Sequence, residues 1–327
     1  MNKTDLSVTY AGLTLKSPVI VSSSGLTSSV ERIKKIEQAG AGALVLKSLF
    51  EEQIQYEVGE LIGKADYPEA LDYINTYARD NSVQQYLKLI SDSKKAVDIP
   101  VMASINCHSA SEWTDFASEI EEAGADAVEL NIYYPGINPE KDPREYEKVY
   151  LEIVDEVQKK VKIPVIIKLG SHFTNLTWFV HQLQIRDVAA VVLFNRFYAP
   201  DIDPETMSMG AAEVLSTPAE IRNSLRWVGI ISSKVDKIDI AASTGVHSGL
   251  GVIKQLLAGA EAVQICSVLY RNGVDYTKNI VTEVKKWMEK KQYWNIEEFR
   301  GKMNYSNLSD PESYERAQFI KYYSKMH

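Results

Sequence analysis

Only two cysteines, Cys107 and Cys266, occur in 327 residues. That excludes a disulfide framework, a Cys-rich metal site and an iron–sulfur centre carried by this chain alone; each reads plainly as a small buried hydrophobe. Long apolar runs are also missing. No stretch reaches the ~18 residues of a membrane span, and the opening MNKTDLSVTY lacks the apolar core of a signal peptide, so the expected location is the cytoplasm. Positive charge is in deficit: 36 Lys and Arg against 44 Asp and Glu give a net charge of −8. A nucleic-acid backbone is therefore a poor partner, and a small molecule a better one. No Pro/Gly/Ser-rich linker divides the chain, so one domain is expected over 1–327, with an extension from about 309 to 327.

What is present repeats. Ala39-Gly40-Ala41, Ala123-Gly124-Ala125 and Ala258-Gly259-Ala260 each close a helical pattern on glycine, and an apolar strand follows. Counting along those strands brings Lys47, Asn131 and Cys266 to equivalent C-terminal ends. A second device alternates with it: Ser17-Pro18-Val19, Ile99-Pro100-Val101 and Ile163-Pro164-Val165 open short apolar runs that end near Ser22, Ser104 and Lys168. Two further runs, Ala190 to Phe194 and Asp239 to Ser243, make eight strands. Helical patterns lie between most neighbours, from Ser29–Ala39 to Gly249–Ala258. The expected fold is α/β, a TIM (β/α)8 barrel with an N-terminal hairpin at Thr9 to Leu15 and inserted lid segments. Function then collects at the C-terminal face.

At that face, Ala127 to Gly136 (AVELNIYYPG) is the sharpest junction: an apolar strand delivers Asn131, Tyr133 and Tyr134 just before a Pro-Gly turn. Ser22-Ser23-Ser24-Gly25 is a small-residue end that lets a flat molecule approach the backbone. Lys47 and Lys168 end strands among apolar residues, where an unpaired ammonium is costly; they suit an electron-rich ligand or, alternatively, Schiff-base chemistry. Asn195-Arg196 offers an amide and a guanidinium to a carboxylate, although Arg196 reads equally as a solvated charge. Ser243-Thr244-Gly245-Val246 and Cys266-Ser267 occupy the two loops where such barrels hold phosphate. His247 has no partner that the sequence names. The long acidic stretch from Glu51 to Asn81 reads as a lid.

From LSVTYAGLTLKSPV through AGAGALVLKS, AVELN, IPVIIKL, STGVHSG and AEAVQICSVLY to IEEFRGKM, about nine-tenths of the chain resembles the flavin-dependent dihydroorotate dehydrogenases, particularly the soluble class-one enzymes. The resemblance implies FMN as cofactor and pyrimidine (UMP) biosynthesis as the setting, with a homodimer as the default assembly and no metal. It implies that Ser23, Gly25, Lys47, Ser48 and Lys168 line the flavin, with Lys168 stabilising its reduced form. Ser243, Thr244, Gly245, Cys266 and Ser267 belong to the phosphate end. Asn131, Asn195, Arg196 and Leu71 fall to the substrate, and Lys47 and Tyr134 to the reacting centre.

Departures from the pattern bear on the chemistry. Where the family has a cysteine or serine base, this chain has Tyr134, and a free phenol near pKa ~10 donates a proton better than it accepts one at neutral pH. Gly136 and the segment Tyr67 to Tyr73 replace asparagines that hold the family's substrate, and Val246 replaces a phosphate-loop glycine. The expected activity is FMN-dependent oxidation of dihydroorotate. The alternatives are an FMN enzyme for another unsaturated or cyclic substrate with Tyr134 as acid, a silent flavin-binding protein, and a lysine aldolase.

Overall fold

The computed structural model describes residues 4–49, 70–107, 110–134, 136–197, 199–211 and 213–315, and their side chains except at 70–80, 107, 110–115, 211 and 312. Two short strands, β1 (Val8–Tyr10) and β2 (Leu13–Leu15), form the expected antiparallel hairpin. Its turn places Ala11 at φ 51°, left-handed backbone that alanine disfavours. The Ala11 amide donates to Asp239 Oδ2 at 2.7 Å, which ties the hairpin to the N-terminal rim of the barrel and offsets that cost.

Eight parallel strands close into a barrel: β3 (Val19–Val21), β4 (Ala43–Val45), β5 (Val101–Cys107), β6 (Ala127–Ile132), β7 (Val165–Leu169), β8 (Ala190–Leu193), β11 (Asp239–Ala242) and β12 (Ala262–Ile265), which pairs back to β3. Val, Ile, Leu and Ala dominate them because both strand faces are covered, the interior by side chains and the exterior by helices. The helices are α1 (Val30–Gln38), α2 (Ala70–Ala96), α3 (Ala110–Glu122), α4 (Pro143–Lys160), α5 (Leu176–Ile185), α6 (Ile221–Lys234), α7 (Gly249–Ala258), α8 (Ser267–Asn272) and α9 (Tyr276–Lys291).

The repeated glycines act as the sequence suggests. Gly40, Gly124 and Gly259 have φ of 91°, 96° and 115°, and the next residue in each case donates back five positions, Ala41 to Ile36, Ala125 to Ile120 and Ala260 to Gln255. This Schellman closure stops the helix and aims the chain into the following strand. Two copies then carry a carboxylate at the next position, Asp126 and Glu261, which accept from Val101 N at 2.7 Å and Ile240 N at 2.6 Å and so align neighbouring strand starts.

Two elements differ from expectation. The hairpin of β9 (Pro200–Asp203) and β10 (Ser208–Ala211) inserts between β8 and α6, and nothing in its polar, exposed sequence marks it as strand. Helix α2 begins at Ala70, so the second part of the stretch read as a lid is helical, while residues 50–69 lie outside the described residues. Part of the C-terminal extension packs on α6: Arg226 Nε donates to Tyr314 O at 2.7 Å, and the Tyr314 hydroxyl donates to Met303 O at 2.5 Å.

Glu261 supports a pH prediction. Burial pushes its carboxyl up to about 7, against the pull of Arg300 and of the Ile240 amide. A carboxyl whose folded pKa exceeds its unfolded value binds protons more tightly in the native state, so stability falls as pH rises between about 4.5 and 7. At 1.36 kcal/mol per unit this is about 3 kcal/mol. In thermal unfolding across that window, Glu261→Gln should flatten the slope.

Candidate functional site

Strand alternation sends Glu129, Asn131, Lys168 and Gln264 into the barrel, and at its C-terminal end they meet residues from β3, β8 and the β11 and β12 loops. A cavity of about 400 Å³ opens there, lined among others by Ser22, Ser23, Lys168, Asn195, Ser243, Gly245, Gln264 and Ser267. That volume and its mixed lining suit a drug-sized or cofactor-sized ligand.

The floor is polar and fully paired. Lys168 Nζ donates to Ser22 Oγ at 3.0 Å, Gln264 Oε1 at 3.0 Å and Glu129 Oε1 at 3.3 Å, and Gln264 Nε2 donates to Glu129 Oε2 at 2.6 Å. Beside this network a serine ladder runs inward from half-buried Ser23, whose Oγ lies 3.0 Å from Ser48 Oγ, itself 2.7 Å from the buried Ser104 Oγ. Asn195, on the cavity wall, donates through Nδ2 to Asn131 Oδ1 at 2.8 Å, an amide pair. Two residues beyond each amide, Tyr133 and Phe197 pack with centroids 4.0 Å apart and rings tilted by 32°, and Phe197 lies close over Gly170, where an added Cβ would meet it at 2.8 Å.

The loops after β11 and β12 meet at one end of the cavity, through residues 243–246 and 266–267. Thr244 and Gly245 both take left-handed backbone, φ 73° and 77°, and a Cβ on Gly245 would stand 2.1 Å from Ile221 N. Gly245→Ala should therefore lower stability by about 2 kcal/mol or more, because backbone strain and a backbone clash add, which a fall in melting temperature would report. Ser216, which sequence reading passes over, links the two loops: its amide donates to Ser267 Oγ at 2.9 Å, and its hydroxyl meets His247 Nε2 at 3.1 Å and accepts from Gly245 N at 3.4 Å. His247 is thus half-buried and partnered, with its pKa lowered by burial and then by Arg271.

Arg196 is tied into the protein while keeping a place at the cavity. It reaches the cavity wall, yet Nε pairs with Glu220 at 2.9 Å and the two terminal nitrogens donate to Val214 O and Glu213 O at 2.7 Å each. Its guanidinium clamps the 213–216 loop with three of its five N–H donors and stays partly exposed at the cavity. Burial favours a protonated Glu220, but the Thr217 amide and Arg196 outweigh it and hold the carboxyl below its ordinary range. The Thr217-Pro218-Ala219-Glu220 spacing of a helix start fixes the Glu220 end of this clamp, with Thr217 N donating to Glu220 Oε1 at 2.6 Å.

The remaining candidates are distributed as follows. Gly25 begins a 3-10 turn against Tyr270, and Cys266 directly follows β12, its thiol pushed up by burial. Lys47 is half-buried two residues past β4. Tyr134 packs edge-on against Tyr150 of α4, with centroids 6.1 Å apart, and among the described residues it does not line the cavity. Leu71 lies in α2 with its side chain outside the described residues, as does the Tyr67 end of its segment.

For FMN, the fit rests on four features: a small-residue wall at Ser22-Ser23, a cation at Lys168, amide and hydroxyl donors at Gly245 and Ser267, and one orphan. Asn106, register partner of Asn131 and not itself in the cavity lining, has its Oδ1 buried without a hydrogen-bond partner among the described residues. A buried acceptor left unmade costs about 1–3 kcal/mol, which a donor on a bound ligand would remove.

Residues 5–288 match the dihydroorotate dehydrogenase family model. The chain belongs to the dihydroorotate dehydrogenase family. Among its relatives is the dihydroorotate dehydrogenase B (NAD(+)) catalytic subunit of Thermoplasma volcanium, 29% identical over 307 residues, covering 91% of this chain and 98% of the relative. The protein of the same name from Pyrococcus furiosus is 27% identical over 299 residues, 89% and 96% of the two chains. The family match spans every barrel strand and both phosphate-type loops, and stops before the C-terminal extension. Among the described residues no helix is long and apolar enough to cross a membrane.

Proposed function

We propose that the protein is an FMN-dependent oxidoreductase acting on a CH–CH bond, oxidising dihydroorotate to orotate in pyrimidine biosynthesis. The observation that carries this reading is the Asn131–Asn195 pair beside the Lys168 network, in a chain matched to the family over nearly its whole length. When one amide donates to the other, the pair keeps a donor on Asn131 and an acceptor on Asn195. Side by side, these complement the N–H and C=O edge of a cyclic amide such as a dihydropyrimidine.

Ser22, Ser23, Lys168, Asn106, Gly245 and Ser267 are the residues assigned to FMN, which supplies the two-electron acceptor for a hydride leaving the saturated carbon. Lys168 provides fixed positive charge where the cofactor becomes electron-rich. Arg196 holds the 213–216 loop so that Ser216 and Ser267 stay at the phosphate end. Tyr134 is assigned the proton exchange at the neighbouring carbon, its oxygen taking that proton as its own passes to water during oxidation and the reverse during reduction. Tyr133 with Phe197 covers the ring and excludes water. The relatives' designation as catalytic subunits supports a partner subunit as the route for electrons, since two cysteines cannot ligate an iron–sulfur cluster here. A homodimer core and a cytoplasmic location complete the proposal.

The deciding experiment is the anaerobic visible spectrum before and after excess dihydroorotate. A flavin band that bleaches supports the activity. A band that persists overturns the substrate, and absence of flavin after incubation with FMN overturns the cofactor.

A further inference from the structure

The Lys168 ammonium is not a bare cation. Its three N–H groups are all used inside the barrel, and one acceptor, Glu129, is a carboxylate with no solvent exposure. Glu129 spends its other oxygen on Gln264 Nε2, and Gln264 Oε1 returns to Lys168, so the ion pair is held as a closed ring of contacts. Ser22 Oγ also donates to Gln264 Oε1, at 2.9 Å, which fixes the amide orientation. The Tyr10 hydroxyl, buried without a partner among the described residues, has its proton held by burial and then by the charge of Glu129. Of this group, Ser22, Lys168 and Gln264 line the cavity, while Glu129 stands behind them.

Charge bookkeeping gives the consequence. A flavin that takes up two electrons and one proton gains one negative charge. Beside an uncompensated ammonium that charge would be strongly stabilised at low dielectric; beside a neutral Lys168–Glu129 pair it is stabilised less. We infer that Glu129, oriented by Gln264, is a positioning residue that offsets the Lys168 charge and thereby sets the reduction potential of FMN bound in this cavity. The inference rests on the FMN assignment above and concerns the cofactor's potential, not the substrate.

The test is the midpoint potential of bound FMN, measured by dithionite titration against a reference dye, in the purified protein and three variants. Glu129→Gln should shift the equilibrium toward reduced flavin at least tenfold, about 30 mV for a two-electron couple. Lys168→Gln should shift it the opposite way. The double variant should fall near the unaltered protein, because both charges are gone. General damage to the barrel cannot produce opposite signs that cancel. Potentials that move together, or do not move, overturn the inference while leaving FMN binding intact; a protein that takes up no FMN overturns the cofactor assignment instead. Should Glu129→Gln not retain flavin, Glu129→Asp supplies the second test. It keeps the carboxylate but draws it back from the ammonium, so the shift should have the same sign and be smaller, and no change there is equally fatal.

Discussion

Tyr134→Phe should lower turnover about 10²–10⁴-fold while bound flavin stays in place, the range that a positioned proton-transfer group contributes. Tyr134 leaves β6 three residues beyond Asn131, and its amide donates to the Tyr150 hydroxyl at 3.3 Å. Burial pushes the Tyr150 phenol up to about 12, so that hydroxyl keeps its proton and serves as a fixed post for the loop. The fixed loop gives the Tyr134 phenol a defined place instead of a mobile one. Tyr133 is the natural control. Its ring is committed to Phe197, a contact that Tyr133→Phe preserves, so that variant should stay within a few-fold of full activity. Steady-state turnover with a flavin absorbance check separates the cases: an inactive Tyr133→Phe with an active Tyr134→Phe would transfer the proton role one residue back. A protonated phenol also favours the reductive direction. Orotate reduction by the pre-reduced enzyme should therefore lose at least as much in Tyr134→Phe as dihydroorotate oxidation.

How far the sequence reached follows from the range of each signal. The barrel was legible because its signals are local and repeated: three Ala-Gly-Ala closures, three Pro-Val openings and eight short apolar runs. Asn131, Lys168, Gly245 and Ser267 were legible because strand ends are where a barrel delivers side chains. Arg196, Ser216 and Glu129 were not, for one shared reason. Their chemistry depends on partners 24, 51 and 135 positions away, Glu220, Ser267 and Gln264, which no local pattern brings together. The β9–β10 hairpin escaped because its strands are exposed on both faces and show no alternation. Asn106 escaped because a single asparagine in a strand looks like any other until its register partner is known.

Asn131→Ala and Asn195→Ala should each reduce kcat/KM by about 10²–10³, or about 2.7–4 kcal/mol of transition-state stabilisation, and the double variant should be little worse than either single one. The reasoning starts from strand order. Asn131 on β6 is the register partner of Lys168 on β7, and Asn195, two residues past β8, continues the ladder by donating its amide to Leu169 O at 2.7 Å. The two side chains therefore flank the Lys168 strand and reach each other above it. Removing one leaves the other with an unmade internal hydrogen bond and a rotated amide, so the survivor cannot present its group to the substrate ring. Groups that act as a unit show such non-additive losses. Stopped-flow reduction of the flavin by dihydroorotate measures both quantities without an external acceptor. Multiplicative losses would mean that the amides contact the substrate independently, and the paired donor and acceptor that carries the substrate assignment would have to be abandoned. Non-additive losses with normal flavin content would fix the pair as the ring-recognition element.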